Sequence, residues 1–302
     1  MEENKMAKSL TLTVVANMTA NYSEGLGNIS SVQKVYKNGK VYSIKSRESL
    51  KNAIMVQSGM YDDLQTEVDG ATQKVANEKL NASNCRALEG GYMYTKGNTY
   101  VRNSSFYLTD AVSCESFVNE TRFHNNLYLA MTTAKSKNIN LQNNAKDAGL
   151  MPYQYEYDKS LKVYSLTIDL EMIGKDENFC NEENYQEASK EEKAERVKSI
   201  LGAVESLSLI VKGNLDNAEP LFVVGGLSDR KTHYFENVVR VENQKLVISK
   251  DLKERLAKGY YAALVEGDNF VNESDIKLEL NPMSVTSFFD KLREDVDKYY
   301  EV

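Results

Sequence analysis

Residues 9–19, SLTLTVVANMT, constrain the fold more than any other stretch of this chain. The run is rich in β-branched residues, alternates, and holds no charge. Such a segment reads as a strand, and its apolarity places it in the centre of a sheet. A central strand needs neighbours on both sides, and two later segments can supply them. KVYSLTIDLEM (162–172) is a second strand, and LFVVGGLSD (221–229) a short buried one that ends in a Gly-Gly turn. Two helical patterns separate these strands. Ser46 is a natural N-cap for a helix from about Arg47 to about Ser58, with Leu50, Ile54 and Met55 at helical spacing. KEEKAERVKSILGAVESLSL (190–209) then places Val197, Ile200, Leu201, Val204 and Leu207 on one face.

The remaining segments read as hairpins and insertions. Asn21 to Ser31, with Gly25 and Gly27, has loop chemistry. VQKVYKNGKVYSI (32–44) is a hairpin turning at Asn38-Gly39, and a second hairpin follows Gly90-Gly91 with its turn at 96–98. Residues 62–90 read as polar helix, 131–150 as a projecting loop or hairpin arm, and 175–193 as an acidic linker. Short strands at 237–248 and 260–265 and a polar helix from about Ser284 to Tyr300 complete the chain. The strongest elements run strand, helix, strand, long insertion, strand, helix, strand. This βαββαβ order predicts an α+β, ferredoxin-like or RRM-like fold, with residues 1–302 forming a single elaborated domain.

Charge adds a second constraint. The net charge is −7, yet residues 1–61 carry eight basic and four acidic side chains, leaving the rest of the chain at −11. A basic region on an acidic body suits a protein that tracks one phosphate backbone and meets proteins elsewhere. Cys85, Cys114 and Cys180 form no CxxC pair, so zinc and disulfides are not expected, and reduced thiols fit a cytoplasmic protein. The opening MEENKMAKSL lacks the apolar core of a signal peptide, and no run is long enough to span a membrane.

KSRESLKNAI (45–54) is the sharpest local feature. Arg47 and Lys51 lie four residues apart, on one helical face, and Ser46 sits where free N–H groups and the helix dipole favour a phosphate.

From here the sequence resembles a known family. SLTLTVVANMTANYSEGLGNISSVQKVYKNGKVYSIKSRESLKNAI is similar to the N-terminal region of the CRISPR-associated Cas-seven subunits, above all the DevR-type members of type I-B systems. That family carries a helix of the form S-S-Q-x-x-K-R-A. Here Ser46, Lys51 and Ala53 match it, whereas Arg47 replaces the second Ser, Glu48 the Gln and Asn52 the Arg. NSSFYLTDAVSCESFVNETRFHNNLYLA and MPYQYEYDKSLKVYSLTIDL resemble two further family blocks, so the likeness covers most of residues 9–172. It implies a non-catalytic backbone subunit of a type I Cascade complex in antiviral defence. Copies would stack head to tail as a helical filament along crRNA, leaving bases free to pair with target DNA. The implied hand has a palm (about 8–60 and 160–265), a fingers insertion (about 61–125) and a thumb (about 131–155). Its other implied partners are a large subunit, a capping subunit, a processing nuclease and a recruited helicase-nuclease. Such a subunit needs phosphate and 2′-hydroxyl contacts, for which Asn21, Asn28, Gln33, Lys34, Ser46, Arg47 and Lys51 are the candidates. Leu150 and Met151 are candidates to wedge beside a displaced base, or else to anchor the returning strand.

An enzyme finds little in these residues. His124 and His233 are the only histidines, and Walker A, HExxH and GxSxG motifs are absent. No cofactor is expected. The main alternative is a metal-independent crRNA-processing endoribonuclease of the same superfamily, using Tyr22 and Lys34. A regulatory or structural protein that binds no RNA is the third reading, and it leaves the basic N-terminal region without a purpose.

Overall fold

The computed structural model describes residues 7–22, 29–69, 72–75, 80–94 and 99–302. Its centre is an eight-stranded antiparallel sheet. The strands are β1 (Ser9–Thr19), β2 (Lys34–Lys37), β3 (Lys40–Lys45), β4 (Phe106–Leu108), β5 (Ala111–Ser113), β6 (Lys159–Asp169), β7 (Pro220–Ser228) and β8 (Tyr261–Leu264). They lie in the order β8-β7-β1-β6-β5-β3-β2, with β4 also paired to β6. β1 is central, as its composition requires. It pairs with β6 from Ser9↔Asp169 to Thr19↔Lys159 and with β7 on its other side.

Alternation along β1 sorts its side chains between two cores. Leu10, Leu12, Val14, Ala16 and Met18 face α1 (Arg47–Gln57), α3 (Lys190–Glu205) and α6 (Val285–Tyr300). Between β5 and β6 lies α2 (Leu127–Lys137); α4 (Lys250–Leu256) and α5 (Glu273–Leu280) come after β7. α3 begins at Ser189, whose side chain accepts from Glu192 N, and buries Val197, Ile200, Leu201 and Val204. Each such apolar side chain contributes about 1.5–3 kcal/mol.

The sheet's second face is covered too. Val15, Phe222 and Val224 pack with Phe235, Val239, Leu252 and Phe270. The strap that follows β7 is laced across β1 and β6. Thr11 and Thr167 both donate through Oγ1 to Thr232 O at 3.1 Å, and Ser9 Oγ donates to Arg230 O. At one edge β8 is capped by residue Met283, which exchanges backbone bonds with Ala262 and Leu264.

Several strand and hairpin expectations hold locally. Asn38 and Gly39 take left-handed φ values of 51° and 75°, as a two-residue hairpin of this hand requires. Tyr92–Tyr94 pairs with Tyr100–Arg102, and Val241–Glu242 with Lys245–Leu246. The three cysteines are free. No helix among the described residues is long and apolar enough to cross a membrane.

Other expectations are corrected. Among the described residues of 62–90 there is no α-helix: Thr66–Asp69 pairs with Thr72–Val75, and Arg86–Gly90 is a single 3₁₀ turn. Asn81 Oδ1 accepts from Ser83 N at 2.8 Å, a local side-chain bond that competes with helix formation. Residues 131–150 are no open arm, because α2 buries Ala130 and Ala134 against Ala148, with Ile139, Leu141 and Leu150 alongside. Small-residue packing of this kind leaves no strong apolar pattern. The supposed linker at 175–193 is anchored by Asp176, which is fully buried and accepts from Ala82 N and Tyr92 Oη. Gly225 and Gly226 lie within β7 rather than in a turn. A Cβ on Gly225 would come 2.0 Å from Thr11 O, so glycine here serves close strand approach. The C-terminal helix is amphipathic rather than polar, burying Phe288, Phe289, Leu292 and Val296.

Candidate nucleic-acid interface

Where β1 ends, Asn21 binds two distant segments. Its N–H donates to Ile44 O, its carbonyl accepts from Gln33 N, and Gln33 O accepts from Ile44 N. Its Nδ2 donates to Ser46 Oγ at 2.9 Å, and the same oxygen caps α1 by accepting from Ser49 N. Asn21, Gln33 and Ser46 therefore form one corner at the start of α1. Asn28 lies outside the described residues.

The basic residues of this region have different fates. Arg47 is exposed and pairs with Glu48 at 2.9 Å, while its backbone N–H donates to Asp110 Oδ1 at 2.8 Å. Asp110 thus takes one of the helix N–H groups that the sequence offers to a phosphate. The spacing predicts that Lys51 shares an exposed face with Arg47, but it does not. Its ammonium turns inward to Gly90 O (2.6 Å) and Ser104 Oγ (2.7 Å), 4.9 Å from the centre of the Phe106 ring. Burial, with Arg102 nearby, pulls that ammonium down to about 8. Lys34 is engaged as well, with Glu156 at 2.5 Å and over the Phe117 ring. Of the wedge candidates, Leu150 packs with the α2 alanines, whereas Met151 is 71% exposed.

A second assembly lies beside this corner. Thr121–His124 pairs antiparallel with Tyr153–Glu156, and Ile29–Ser30 joins parallel to the latter. The register sets Arg122 opposite Tyr155 and His124 opposite Tyr153, so all four share one face. The His124 ring stacks with Tyr153 (5.4 Å) and Tyr155 (4.9 Å), and Tyr22 meets Tyr155 edge-on at 5.9 Å. Arg122 lies over Tyr157 with its guanidinium carbon 3.4 Å from the ring centre. Burial, then Tyr155, pushes the Tyr22 phenol up to about 12.

Between this aromatic stalk and the hairpin Ser208–Val211/Asn214–Asn217 opens a cleft of about 300 Å³. Its floor holds Asp216, which accepts from Thr19 N (2.8 Å) and Thr19 Oγ1 (2.9 Å) and pairs with Lys159 at 2.6 Å. Lys212, at the hairpin turn, donates to Ser30 Oγ and sits 4.7 Å from the centre of the Tyr22 ring. Among the described residues no group of histidines, cysteines and carboxylates could hold a metal ion. His233 lies away from the cleft, on the strap, with Nδ1 2.8 Å from Thr167 Oγ1.

The sequence reading brought Asn21, Gln33, Ser46 and Arg47 to one place but missed Arg122, Tyr157, Lys159 and Lys212. Its one available signal was MPYQYEYDK, whose Tyr153, Tyr155 and Tyr157 alternate and so share a face. Lys212 gave none, because the helical pattern read to Leu209 runs over the start of the hairpin.

Comparison with known proteins supplies the rest. Residues 10–246 match the family described as CRISPR-associated negative auto-regulator DevR/Csa2. A chain in a solved structure described as "CRISPR RNA-guided surveillance complex, pre-nicking" superposes with a TM-score of 0.60 at 11% identity, covering 95% of this chain and 100% of its own. Another, from a "CRISPR RNA-guided surveillance complex", gives 0.55 at 14% identity, covering 95% and 99%. No curated protein matches the sequence. A match over residues 10–246 of 302 spans both halves of the central sheet, and the chain belongs to the CRISPR-associated DevR/Csa2 family.

Proposed function

We propose that this protein is a non-catalytic backbone subunit of a type I, Cascade-type surveillance complex in the cytoplasm, gripping crRNA by its sugar-phosphate chain. One observation carries the reading. The strand order β7-β1-β6-β5 with α1 and α3 on one face supports an RRM-like palm, yet the face on which such a palm would stack bases is closed by the strap and its core. RNA is left the border where Asn21, Ser46 and Arg47 meet the aromatic stalk. That border offers an amide, a hydroxyl and cations, which suit a backbone whose sequence varies.

In this reading residues 61–125 form the fingers and the α2 module the thumb, and copies associate head to tail. A large subunit, a capping subunit, a processing nuclease and a helicase-nuclease complete the assembly, and target DNA pairs with the exposed guide. The processing-nuclease alternative gains no support from its two candidates. Tyr22 holds its proton to about pH 12, and Lys34 is ion-paired.

Light scattering of the protein with unrelated single-stranded RNAs of increasing length tests the proposal. Mass should rise in steps while the RNA stays intact. A complex of fixed mass that cuts a hairpin repeat would replace it with the nuclease.

A further inference from the structure

We infer that β2 is a docking edge for an extended segment of a protein partner, added to the sheet as one further strand whose side chains alternate apolar and acidic. The inference goes beyond the RNA-binding reading and does not depend on it.

The backbone groups of the hairpin lead there. At the far end of the strand order β8 is closed by Met283. The inner side of the β2–β3 hairpin is closed as well, because β3 meets β5 and Val41 O accepts from Phe117 N at 2.7 Å. Its outer side is open. Around a two-residue turn Lys37 exchanges backbone bonds with Lys40, and Val35 with Tyr42. Lys34 and Tyr36 therefore point their N–H and C=O groups outward, and no backbone group of a described residue meets them. Such a row of free donors and acceptors is a template for another strand.

Side chains set the partner's chemistry. Tyr36 is 74% exposed, and Val41, directly across from it, is exposed as well. On the opposite face Lys37 and Lys40 stand across from each other, and neither has an ion pair with a described residue, unlike Lys34 with Glu156. Like charges across a ladder destabilise it, and a carboxylate on an added strand relieves them. The same lysines repel a second copy of this edge, so they act against self-pairing. Period-two alternation then fixes the pattern, with acidic residues on the Lys37 face and apolar ones beside Tyr36. A phosphate chain would use the lysines and the N–H groups but give the outward carbonyls no donor, so a strand satisfies this edge more fully.

The probe is a fluorescent hexapeptide alternating valine and glutamate, titrated into the full chain and followed by anisotropy. It should bind saturably, with an affinity that falls as salt rises. Tyr36→Pro removes an outward N–H, a change that edge strands tolerate, so the urea midpoint should hold while binding weakens on the order of tenfold. Lys37→Glu combined with Lys40→Glu should weaken it as much and reverse its salt dependence. N-methylating alternate peptide bonds of the probe keeps its charge and should abolish binding to the unaltered protein.

Equal affinity for the N-methylated probe, or for the Tyr36→Pro protein, would show attraction by charge alone and overturn the docking edge. No binding at millimolar peptide would overturn it too. A dimer of the free protein that Tyr36→Pro dissolves, seen by light scattering, would make the occupant a second copy and overturn the partner's chemistry. RNA that displaces the probe and itself loses affinity in the double glutamate variant would assign the hairpin to the RNA path instead. RNA-dependent growth in mass is measured without the peptide, so the two readings fail separately.

Discussion

Arg47 and Lys51 share a helix and a charge but not an environment. Arg47 remains available to a phosphate, whereas Lys51 joins α1 to the Gly90 and Ser104 segments. Arg47→Ala should therefore weaken RNA binding and flatten its salt dependence by about one phosphate contact, with the urea midpoint unchanged. Lys51→Met should do the reverse. It leaves the Gly90 carbonyl without its donor, a loss of about 1–3 kcal/mol in urea unfolding, with little effect on the salt slope. Its pH signature has a definite sign. Because the folded ammonium titrates at about 8 and the unfolded one at 10.5, folding carries a charging penalty below pH 8 that fades as pH rises to 10.5. Wild type should gain stability relative to Lys51→Met across that window, and a flat difference would mean that Lys51 is solvated like an ordinary lysine.

Among the elements, β7 is the least tolerant of change. Gly225 lets it approach β1 so closely that a methyl group would collide with the Thr11 carbonyl, and backbone cannot swing away as a side chain can. Gly225→Ala should cost stability at the upper end of about 1–3 kcal/mol, read as a lowered urea midpoint. The stalk shows the opposite economy. Its strands are short, yet period-two alternation gathers Arg122, His124, Tyr153 and Tyr155 onto one face. The α2 module closes its own small core of Ala130, Ala134 and Ala148. Leu127, Tyr128 and Leu129 remain exposed on it.

At the scale of the whole molecule, one buried charge cluster joins the insertion to the body. Glu89, fully buried, accepts from Arg102 at 3.1 Å, from Arg196 of α3 at 2.8 Å and from Gly174 N at 2.6 Å. Three regions far apart in sequence thus meet on one carboxylate. Glu89→Gln keeps the shape but leaves two buried guanidiniums short of countercharge, and should cost about 3–5 kcal/mol. Thermal unfolding would measure it. A loss under 1 kcal/mol would show that solvent reaches the cluster.

Local chemistry alone sets the framework. β1, α1, β6, α3, β7 and α6 each carry a period or a cap that local chemistry enforces, so residues 9–19, Ser46 and the Val197–Val204 stripe were readable in isolation. Their order was enough to expect βαββαβ, and the residues around 45–54 lie at one corner of the candidate interface. Which cations stay outside depends instead on contacts between distant segments. Arg47 and Lys51 have the same spacing rule behind them, and only the position of Phe106, Gly90 and Ser104 separates them. The cleft was equally invisible, because Thr19, Arg122, Lys159 and Lys212 come from four separate segments. Periodicity reports which face of an element is apolar; it carries no information on which other element that face will meet.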